Sequence, residues 1–292
     1  MTWTNGVSAY LRLMRPHQWS KNAVVLAGVV FSGQAGDPAQ LGRAIVAVLA
    51  FCLASSAVYA FNDWHDCAED RLHPVKYRRP FASGDIAPLA ALTFGGMLAA
   101  AACGVGFLVS PALAGILALY AALMVAYTLR FRRLAVLDVL TIAMGFVLRA
   151  VAGAVAVAVP LSVWLFICTL LLALMLGLGK RRHELRMLGG DTARHRPSLE
   201  GYARFDLDRV IVAVAVLTAG AYALYALAVP SYGRDLAMIV TVPFVVLAIG
   251  RYLTLVFRHG LGGAPELLLV HDRMLFLSIL AWSVAAGIVL AS

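Results

Sequence analysis

The sequence predicts an all-α integral membrane protein with about nine transmembrane helices, and three observations lead to this fold class. Hydrophobic residues make up 62% of the 292-residue chain and charged residues only 13%, a composition too apolar for a soluble fold. The apolar residues form long runs with few charges, as membrane helices do. Of the 24 Lys and Arg residues, 21 fall in alternate segments between those runs, which is the pattern of the positive-inside rule. We therefore expect one transmembrane domain over residues 1–292.

Nine apolar runs define the predicted helices. They cover residues 23–34, 41–61, 88–109, 111–128, 134–157, 160–178, 210–229, 236–256 and 274–291. The first run is shorter than the roughly 20 residues that cross a bilayer, so it needs help from flanking residues. The distribution of basic residues predicts an odd number of spans, with the N-terminus on the cytoplasmic side of a bacterial inner membrane.

Charge and cysteine content exclude several functional classes. The net charge is +9, but the basic residues lie in short loops between predicted spans and no nucleic-acid-binding motif is present, so we expect no nucleic-acid partner. The charge is suited instead to anionic membrane lipids and phosphorylated substrates. The four cysteines are scattered singly, which predicts neither a disulfide framework nor a zinc site. No apolar core of a cleavable signal peptide is present in the first 21 residues.

The stretch 62–84 concentrates the polar chemistry of the chain. It opens with four carboxylates in eight positions, namely Asp63, Asp66, Glu69 and Asp70. Asn62, Asp66 and Asp70 follow each other at intervals of four, so on a continuing helix they share one face. Three oxygen ligands of this kind suit Mg²⁺, which binds through few carboxylates together with substrate phosphates. We therefore predict that these three residues are catalytic and hold the metal.

Basic residues follow the carboxylates directly. They are Arg71, Lys76, Arg78 and Arg79. Such side chains suit the phosphate oxygens that a metal leaves uncovered, and we assign Lys76 and Arg78 to substrate binding. The alternative is a solvated loop of mixed charge, but crowded like charges at helical spacing are destabilising unless a cation relieves them. The stretch therefore predicts a metal–diphosphate site at the cytoplasmic membrane surface.

The pattern NDxxDxxxD, followed by HPxKxxRPxASG, resembles the first aspartate-rich motif of the UbiA superfamily of intramembrane prenyltransferases. Two further stretches, RPHQWSKN at 15–22 and GKRRHEL at 179–185, resemble the branch that contains decaprenyl-phosphate phosphoribosyltransferase. The resemblance runs from about Leu13 to Leu290. It implies a UbiA-type bundle beneath a cytoplasmic cap of loops, Mg²⁺ dependence and association into homo-oligomers. It also implies transfer of 5-phosphoribosyl from phosphoribosyl pyrophosphate to a polyprenyl phosphate, for arabinan precursors of the cell envelope.

The N-terminal basic set precedes the first predicted span. It comprises Arg15, His17, Gln18, Lys21 and Asn22. One interpretation is topological anchoring, with Trp19 as an interfacial aromatic. The other is a binding site for the phosphate of a lipid substrate, which the resemblance favours, and Arg15, Gln18 and Lys21 are the residues we assign to it.

Further candidates for substrate binding lie around the fifth predicted span. Tyr127 and Arg130 belong to the loop region after the fourth span, and Asp138 enters the fifth near its cytoplasmic end. Arg149 lies well inside that span, where an ionisable side chain is costly and rarely faces lipid. We expect Arg149 to point into the bundle, either paired with a carboxylate or in contact with substrate.

The loop that begins at Gly179 departs from the usual pattern of the superfamily, which has a second acidic motif, DxxxD, at this place. Here the chain has Lys180, Arg181, Arg182 and Glu184 instead. The departure suits a donor with an additional phosphate, and Lys180 and Arg181 are the candidates for the 5-phosphate of phosphoribosyl pyrophosphate. Glu184 is the candidate for a second carboxylate on metal or for a ribose hydroxyl. The glycines of the loop 260–263 are expected to be structural.

Three rival functions stay open from the sequence. An ordinary UbiA-type prenyltransferase would use a prenyl diphosphate and an aromatic acceptor, which the missing second DxxxD disfavours. A membrane transporter usually has repeat symmetry and polar groups at the midplane, whereas here the ionisable residues crowd at one end of the spans. A non-catalytic scaffold would not need carboxylates stacked at intervals of four.

Overall fold

A computed structural model describes residues 3–72, 74–188, 197–228 and 237–291. The described residues form helices and turns and no strand, which confirms the all-α prediction. The thirteen α-helices that the structure describes are α1 (Trp3–Met14), α2 (Ala27–Phe31), α3 (Pro38–His65), α4 (Cys67–Arg71), α5 (Pro88–Val109), α6 (Pro111–Leu129), α7 (Leu137–Ala156), α8 (Val163–Leu188), α9 (Pro197–Tyr202), α10 (Leu207–Ala228), α11 (Val242–Arg258), α12 (Pro265–His271) and α13 (Arg273–Ala291).

Eight helices in the described part of the chain are long and apolar enough to cross a membrane. They are α3, α5, α6, α7, α8, α10, α11 extended back to Met238, and α13. Each corresponds to one of the nine predicted runs. The first run, 23–34, differs, because a 3₁₀ helix at Pro16–Leu26 and the five-residue α2 replace a helix of spanning length. Pro16 starts this segment, and its contacts with α3 and α7 are described below.

Residue contacts divide the chain into two compact units. The first comprises residues 1–130 and 148–160. Its central helix is α3, which packs against α1, the 3₁₀ segment, α5 and α6. The apolar core includes Phe51 on α3, Leu117 on α6 and Ala152 on α7. Burial of these side chains leaves the end of α3 as the place where polar residues gather.

The second unit comprises residues 131–147 and 161–292. Here α8 packs against α10, and α11 packs against both α10 and α13. One core cluster contains Met175, Tyr252 and Leu275. Another surrounds Tyr202 at the polar end of α8, where Val139 and Leu178 contact it. The expectation of a single domain over the whole chain stays a prediction.

Two glycines bring the N-terminal segment into backbone contact with α7 inside the first unit. A Cβ atom on Gly153 would overlap the carbonyl oxygen of Val25, and a Cβ atom on Gly28 would overlap the backbone of Gly153 itself. Gly and other small residues allow such close approach of helices in membranes. The segment 16–31 is therefore seated on α7 by its main chain, without a layer of side chains between them.

We expect Gly153→Ala to destabilise the protein by about 2 kcal/mol, since backbone atoms cannot move aside as a flexible side chain can. The measurement is the free energy of unfolding in detergent. The matched control is Gly104→Ala in α5, because a Cβ atom there meets nothing within 4 Å and alanine is the better helix former. Equal stability of the two variants would contradict the backbone contact.

Candidate functional site

The acidic residues lie where α3 ends and α4 begins. Asp66 ends α3 with φ −93° and ψ 4°, so the helix is interrupted at this residue rather than continuous as expected. The four-residue hydrogen-bond pattern nevertheless continues across the break. Asp66 N donates to Asn62 O at 2.9 Å, and Asp70 N donates to Asp66 O at 2.8 Å. The three predicted metal ligands therefore keep helical spacing and stay on neighbouring turns.

Another carboxylate of the motif, Asp63, contacts two arginines of the site, Arg15 and Arg79. It is 1% exposed, and its Oδ1 accepts from Arg15. Arg79 Nη1 lies 3.2 Å from the same oxygen and donates to Asp70 Oδ2 at 2.7 Å. The result is an alternating chain of charges, Arg15–Asp63–Arg79–Asp70, with both carboxylates buried. One guanidinium, that of Arg79, thus bridges two carboxylates of the motif.

Arg15 has an unusual backbone conformation. Its φ is +52° and ψ +60°, the left-handed region that non-glycine residues rarely adopt. The contact with Asp63 and the stacking of its guanidinium over Tyr59, 5.0 Å from the ring centroid, hold it there. Strained conformations of this kind persist when the surroundings over-determine them, and they cluster at functional sites. The contacts with Asp63 and Tyr59 therefore hold Arg15 next to the acidic motif.

The end of α6 is adjacent to the same motif. Thr128, which is 1% exposed, has two acceptors within reach of its single hydroxyl proton, Asn62 Oδ1 and Met124 O at 3.0 Å. Tyr127 precedes Thr128 and is partly buried, while Arg130 caps the helix and is exposed. The structure therefore brings these two predicted residues to the helix end that contacts the first metal-ligand candidate.

The basic residues behind the carboxylates separate into two groups. Lys76 and Arg78 are exposed, and Arg78 folds over its neighbour, with Nε donating to Tyr77 Oη at 3.0 Å. Arg79 is the member that turns inward to the carboxylates. His73 of the motif lies outside the described residues. The structure thus adds Arg79 and Asp63 to the site that the sequence predicted around Lys76 and Arg78.

The donor set fits a magnesium ion that arrives together with a diphosphate. Asn62 supplies an amide oxygen, and Asp66 and Asp70 supply carboxylates, all hard ligands of the kind Mg²⁺ takes. Asp63 Oδ2 is buried without a hydrogen-bond partner among the described residues, while Oδ1 of the same carboxylate is paired with Arg15 and Arg79. Within those residues no three His, Cys, Asp or Glu side chains form a group that could hold a metal by themselves, and Mg²⁺ commonly relies on phosphate oxygens for the remainder.

Arg149 and Asn22 meet inside the first unit. Arg149 is 5% exposed, and its Nε donates to Asn22 Oδ1 at 2.8 Å. Its Nη2 donates to Tyr120 Oη at 2.9 Å. Asn22 Nδ2 in turn donates to Ser55 Oγ at 3.3 Å. The sequence left two interpretations of Arg149 open, a carboxylate partner or contact with substrate. The contacts described here are with the amide of Asn22 and the phenol of Tyr120.

The second unit contains its own buried polar cluster. Arg181 Nε lies 2.9 Å from Asp138 Oδ2, and Nη1 donates to Glu184. Tyr202 donates to Asp138 Oδ1 and accepts from Val136 N at 2.8 Å. Burial and the hydrogen bond to Asp138 raise the pKa of Tyr202, so the phenol stays protonated as a donor. Three predicted binding residues are thus joined in one ion-pair cluster.

The glycine-containing loop 260–263 packs closely against the segment that follows Gly179. Gly260 has φ +68°, and its carbonyl oxygen lies 2.6 Å from His183 Nδ1. A Cβ atom on Gly263 would lie 2.6 Å from His183 Cδ2, and one on Gly262 would overlap the Gly179 carbonyl oxygen. Lys180 is exposed beside this contact. The expected structural role of these glycines is therefore specific: they allow the loop to touch the segment.

Comparison with known proteins places this architecture among described families. Residues 23–289 match the UbiA prenyltransferase family. A decaprenyl-phosphate phosphoribosyltransferase of Mycolicibacterium smegmatis is 33% identical over 296 residues, covering 95% of this chain and 91% of the relative. A protein of the same name from Corynebacterium glutamicum is 33% identical over 287 residues, covering 95% of this chain and 85% of the relative.

A solved structure supports the fold independently of these sequence similarities. A UbiA homolog from Archaeoglobus fulgidus bound to DMAPP and Mg²⁺ has a TM-score of 0.75 to this chain at 19% identity. The match covers 97% of this chain and 98% of that structure. It confirms the predicted UbiA-type fold of transmembrane helices.

Proposed function

This chain belongs to the UbiA prenyltransferase family of membrane enzymes, and from that premise we propose that it transfers 5-phosphoribosyl from phosphoribosyl pyrophosphate to a polyprenyl phosphate. An oxygen of the lipid phosphate attacks C1 of the ribose, the bond from C1 to the diphosphate oxygen breaks, and pyrophosphate leaves. The observation that carries the proposal is 33% identity along 95% of the chain to two decaprenyl-phosphate phosphoribosyltransferases. The product would serve arabinan precursor synthesis in a bacterial envelope.

The first unit supplies the site for the leaving group. Asn62, Asp66 and Asp70 would hold Mg²⁺, which when bound stabilises negative charge on the departing diphosphate as a Lewis acid. Arg79 lies between two carboxylates of this motif, where its guanidinium can turn to a diphosphate oxygen in bidentate fashion. Lys76 adds charge at the exposed rim. Such fixed charges stabilise a transition state more than its ground state.

The acceptor needs positioning more than activation. A phosphate is already anionic at neutral pH, so no strong general base is required. We assign Arg15, Gln18 and Lys21 to the lipid phosphate, at the join between α1 and the 3₁₀ segment. Holding two reactants in line supplies a large share of a rate enhancement. We assign this site to the cytoplasmic side of the membrane, in keeping with the positive-inside pattern of the sequence.

The 5-phosphate of the donor needs a cation of its own. Lys180 is exposed and directly follows Gly179, and we assign the 5-phosphate to it. Arg181 is 2% exposed and paired with Asp138 and Glu184, so its role in the proposal is to fix the helix end that carries Lys180. A prenyl diphosphate has no phosphate group besides its diphosphate and would make no use of this cation.

The test uses purified protein in detergent with Mg²⁺, polyprenyl phosphate and ribose-labelled phosphoribosyl pyrophosphate. Label in the lipid fraction, with release of pyrophosphate, is the expected result. Turnover of a prenyl diphosphate with an aromatic acid instead would establish the ordinary prenyltransferase. Turnover of neither substrate pair would overturn the proposal.

Two adjacent arginines provide a matched comparison within this assay. We expect Arg79→Gln to raise KM for phosphoribosyl pyrophosphate by at least about tenfold, because charge-assisted contacts to phosphate are among the strong ones. Arg78 was also assigned to substrate binding from the sequence, but its guanidinium is exposed and folded over Tyr77, so we expect Arg78→Gln to change this KM by less than about threefold. Equal effects of the two substitutions would mean that the contacts of Arg79 with Asp63 and Asp70 do not define the donor site.

A further inference from the structure

We propose that Arg149 is a positioning residue that keeps the N-terminal segment Pro16–Leu26 in its 3₁₀ form, and that this form is what binds the lipid phosphate. The inference rests on the proposed function for the identity of its ligand, a polyisoprenoid phosphate. It departs from the expectation that Arg149 touches substrate itself. Its basis is the geometry of the segment and the contacts that hold it.

The segment is unusually long for a 3₁₀ helix. It runs for 11 residues, whereas such helices rarely exceed four because their hydrogen bonds are poorly aligned. A 3₁₀ helix of this length needs stabilisation from outside. With three residues per turn, side chains at intervals of three eclipse one another. The side chains of the segment therefore form straight rows along its axis, here called edges, whereas those of an α-helix rotate gradually around the axis.

One edge of the segment faces into the first unit. Trp19 and Asn22 are three residues apart, and both are held by α3. Trp19 Nε1 donates to Ser56 Oγ at 3.1 Å, and Asn22 Nδ2 donates to Ser55 Oγ at 3.3 Å. Asn22 also accepts from Arg149. Only Arg149, among these partners of Asn22, reaches it from α7.

The neighbouring edge carries the polar groups assigned to the lipid phosphate. Gln18 and Lys21 are also three residues apart and are both partly exposed, and Arg15 caps the segment three residues before Gln18. In the 3₁₀ form the three positions lie along one line about 12 Å long. If the segment relaxed to an α-helix, positions 15 and 21 would diverge by about 120° around the axis, and the line would be lost.

Arg149 is suited to this role by its own fixation. Its guanidinium stacks over the rings of Tyr120, 4.7 Å from the centroid, and Phe51, at 5.7 Å. Buried arginine is costly unless its donors are satisfied, so the contact with Asn22 is not easily given up. Rotation of Asn22 away from α7, which relaxation of the 3₁₀ helix requires, would leave a buried donor unpaired.

The experiment measures binding of polyprenyl phosphate to the full-length protein in detergent without donor, and then steady-state kinetics. We expect Arg149→Met and Asn22→Ala each to weaken lipid binding and raise KM for the lipid by about tenfold, which corresponds to the loss of one buried hydrogen bond. The kcat, and the KM for phosphoribosyl pyrophosphate, should both stay within about twofold of the values of the unaltered protein. The variant that carries both substitutions should bind lipid no more weakly than either single variant, because the two residues act as a unit.

Three further variants separate positioning from general stability. Asn22→Asp keeps an oxygen that accepts from Arg149 and should bind lipid within about threefold of the unaltered protein. Arg43→Gln removes another arginine of the first unit, one that donates to Ala156 O at 2.9 Å, and should leave lipid binding unchanged. Arg149→Lys replaces Arg149→Met if the latter does not fold.

The outcomes distinguish this inference from the proposed function. Lipid binding without phosphoribosyl transfer in the unaltered protein would overturn the function but still test the positioning role. Additive effects in the double variant, equal losses in kcat and both KM values, or an equal loss in Arg43→Gln would overturn the positioning role. So would failure of the unaltered protein to bind polyprenyl phosphate.

Discussion

Asp66→Asn is expected to reduce phosphoribosyl transfer by about 10³-fold, chiefly in kcat. The substitution keeps the size and hydrogen bonding of the side chain but removes the charge at the break between α3 and α4. Loss of one fixed electrostatic contact to a transition state typically costs two to three orders of magnitude. The measurement is initial rate at saturating substrates across a range of Mg²⁺ concentration.

The control for Asp66 lies three residues further along the chain. Glu69→Gln in α4 also removes one negative charge, but Glu69 is exposed whereas Asp66 is partly buried. We expect less than a threefold change in rate for it, as for other exposed charges. Similar losses in both variants would point to net charge at the membrane surface, and an unchanged rate in Asp66→Asn would remove this residue from the metal site.

Asp138→Asn is expected to destabilise the second unit by about 3 kcal/mol, since it leaves Arg181 buried beside a neutral partner. Asp138 and Arg181 are 0% and 2% exposed in their side chains. Tyr202 and Ser198 also lose their charged acceptor. The free energy of unfolding in detergent, followed by a probe in the second unit, measures the effect.

An exposed ion pair in the same unit provides the comparison. Asp206 pairs with Arg209 at 3.0 Å, with 53% and 89% of the two side chains exposed. Asp206→Asn should leave stability unchanged within error, because solvent screens such pairs. If Asp138→Asn were equally harmless, the cluster around Arg181 would not be what fixes the helix end that carries Lys180.

Hydropathy alone located the eight long helices, because a membrane requires continuous apolar stretches that satisfy their own backbone. The spacing of Asn62, Asp66 and Asp70 likewise predicted neighbouring turns, and the structure keeps that register across the break at Asp66. Local periodicity carries both kinds of information, so both are readable from a single sequence.

The partners of the site were not readable in the same way. Asp63 stands seven residues before Asp70, a spacing that puts the two on one helix face, and that signal was available. Arg79 pairs with both only because the loop 72–78 folds back, which no local pattern predicts. The contact between Arg149 and Asn22 joins residues 127 positions apart, and the 3₁₀ form of the segment depends on it.

The contacts of the N-terminal segment with α7 also have a consequence for the order in which the first unit is assembled during synthesis. The apolar run of this segment is too short to cross a bilayer alone. It contacts α3 through Trp19 and Asn22, but its contacts with Arg149 and Gly153 both belong to α7. The first unit is completed by residues 148–160. The emerging chain therefore carries a first segment without its α7 contacts until about half of the protein has been synthesised, and the lipid-phosphate site that we propose would be complete only after α7 has entered the membrane.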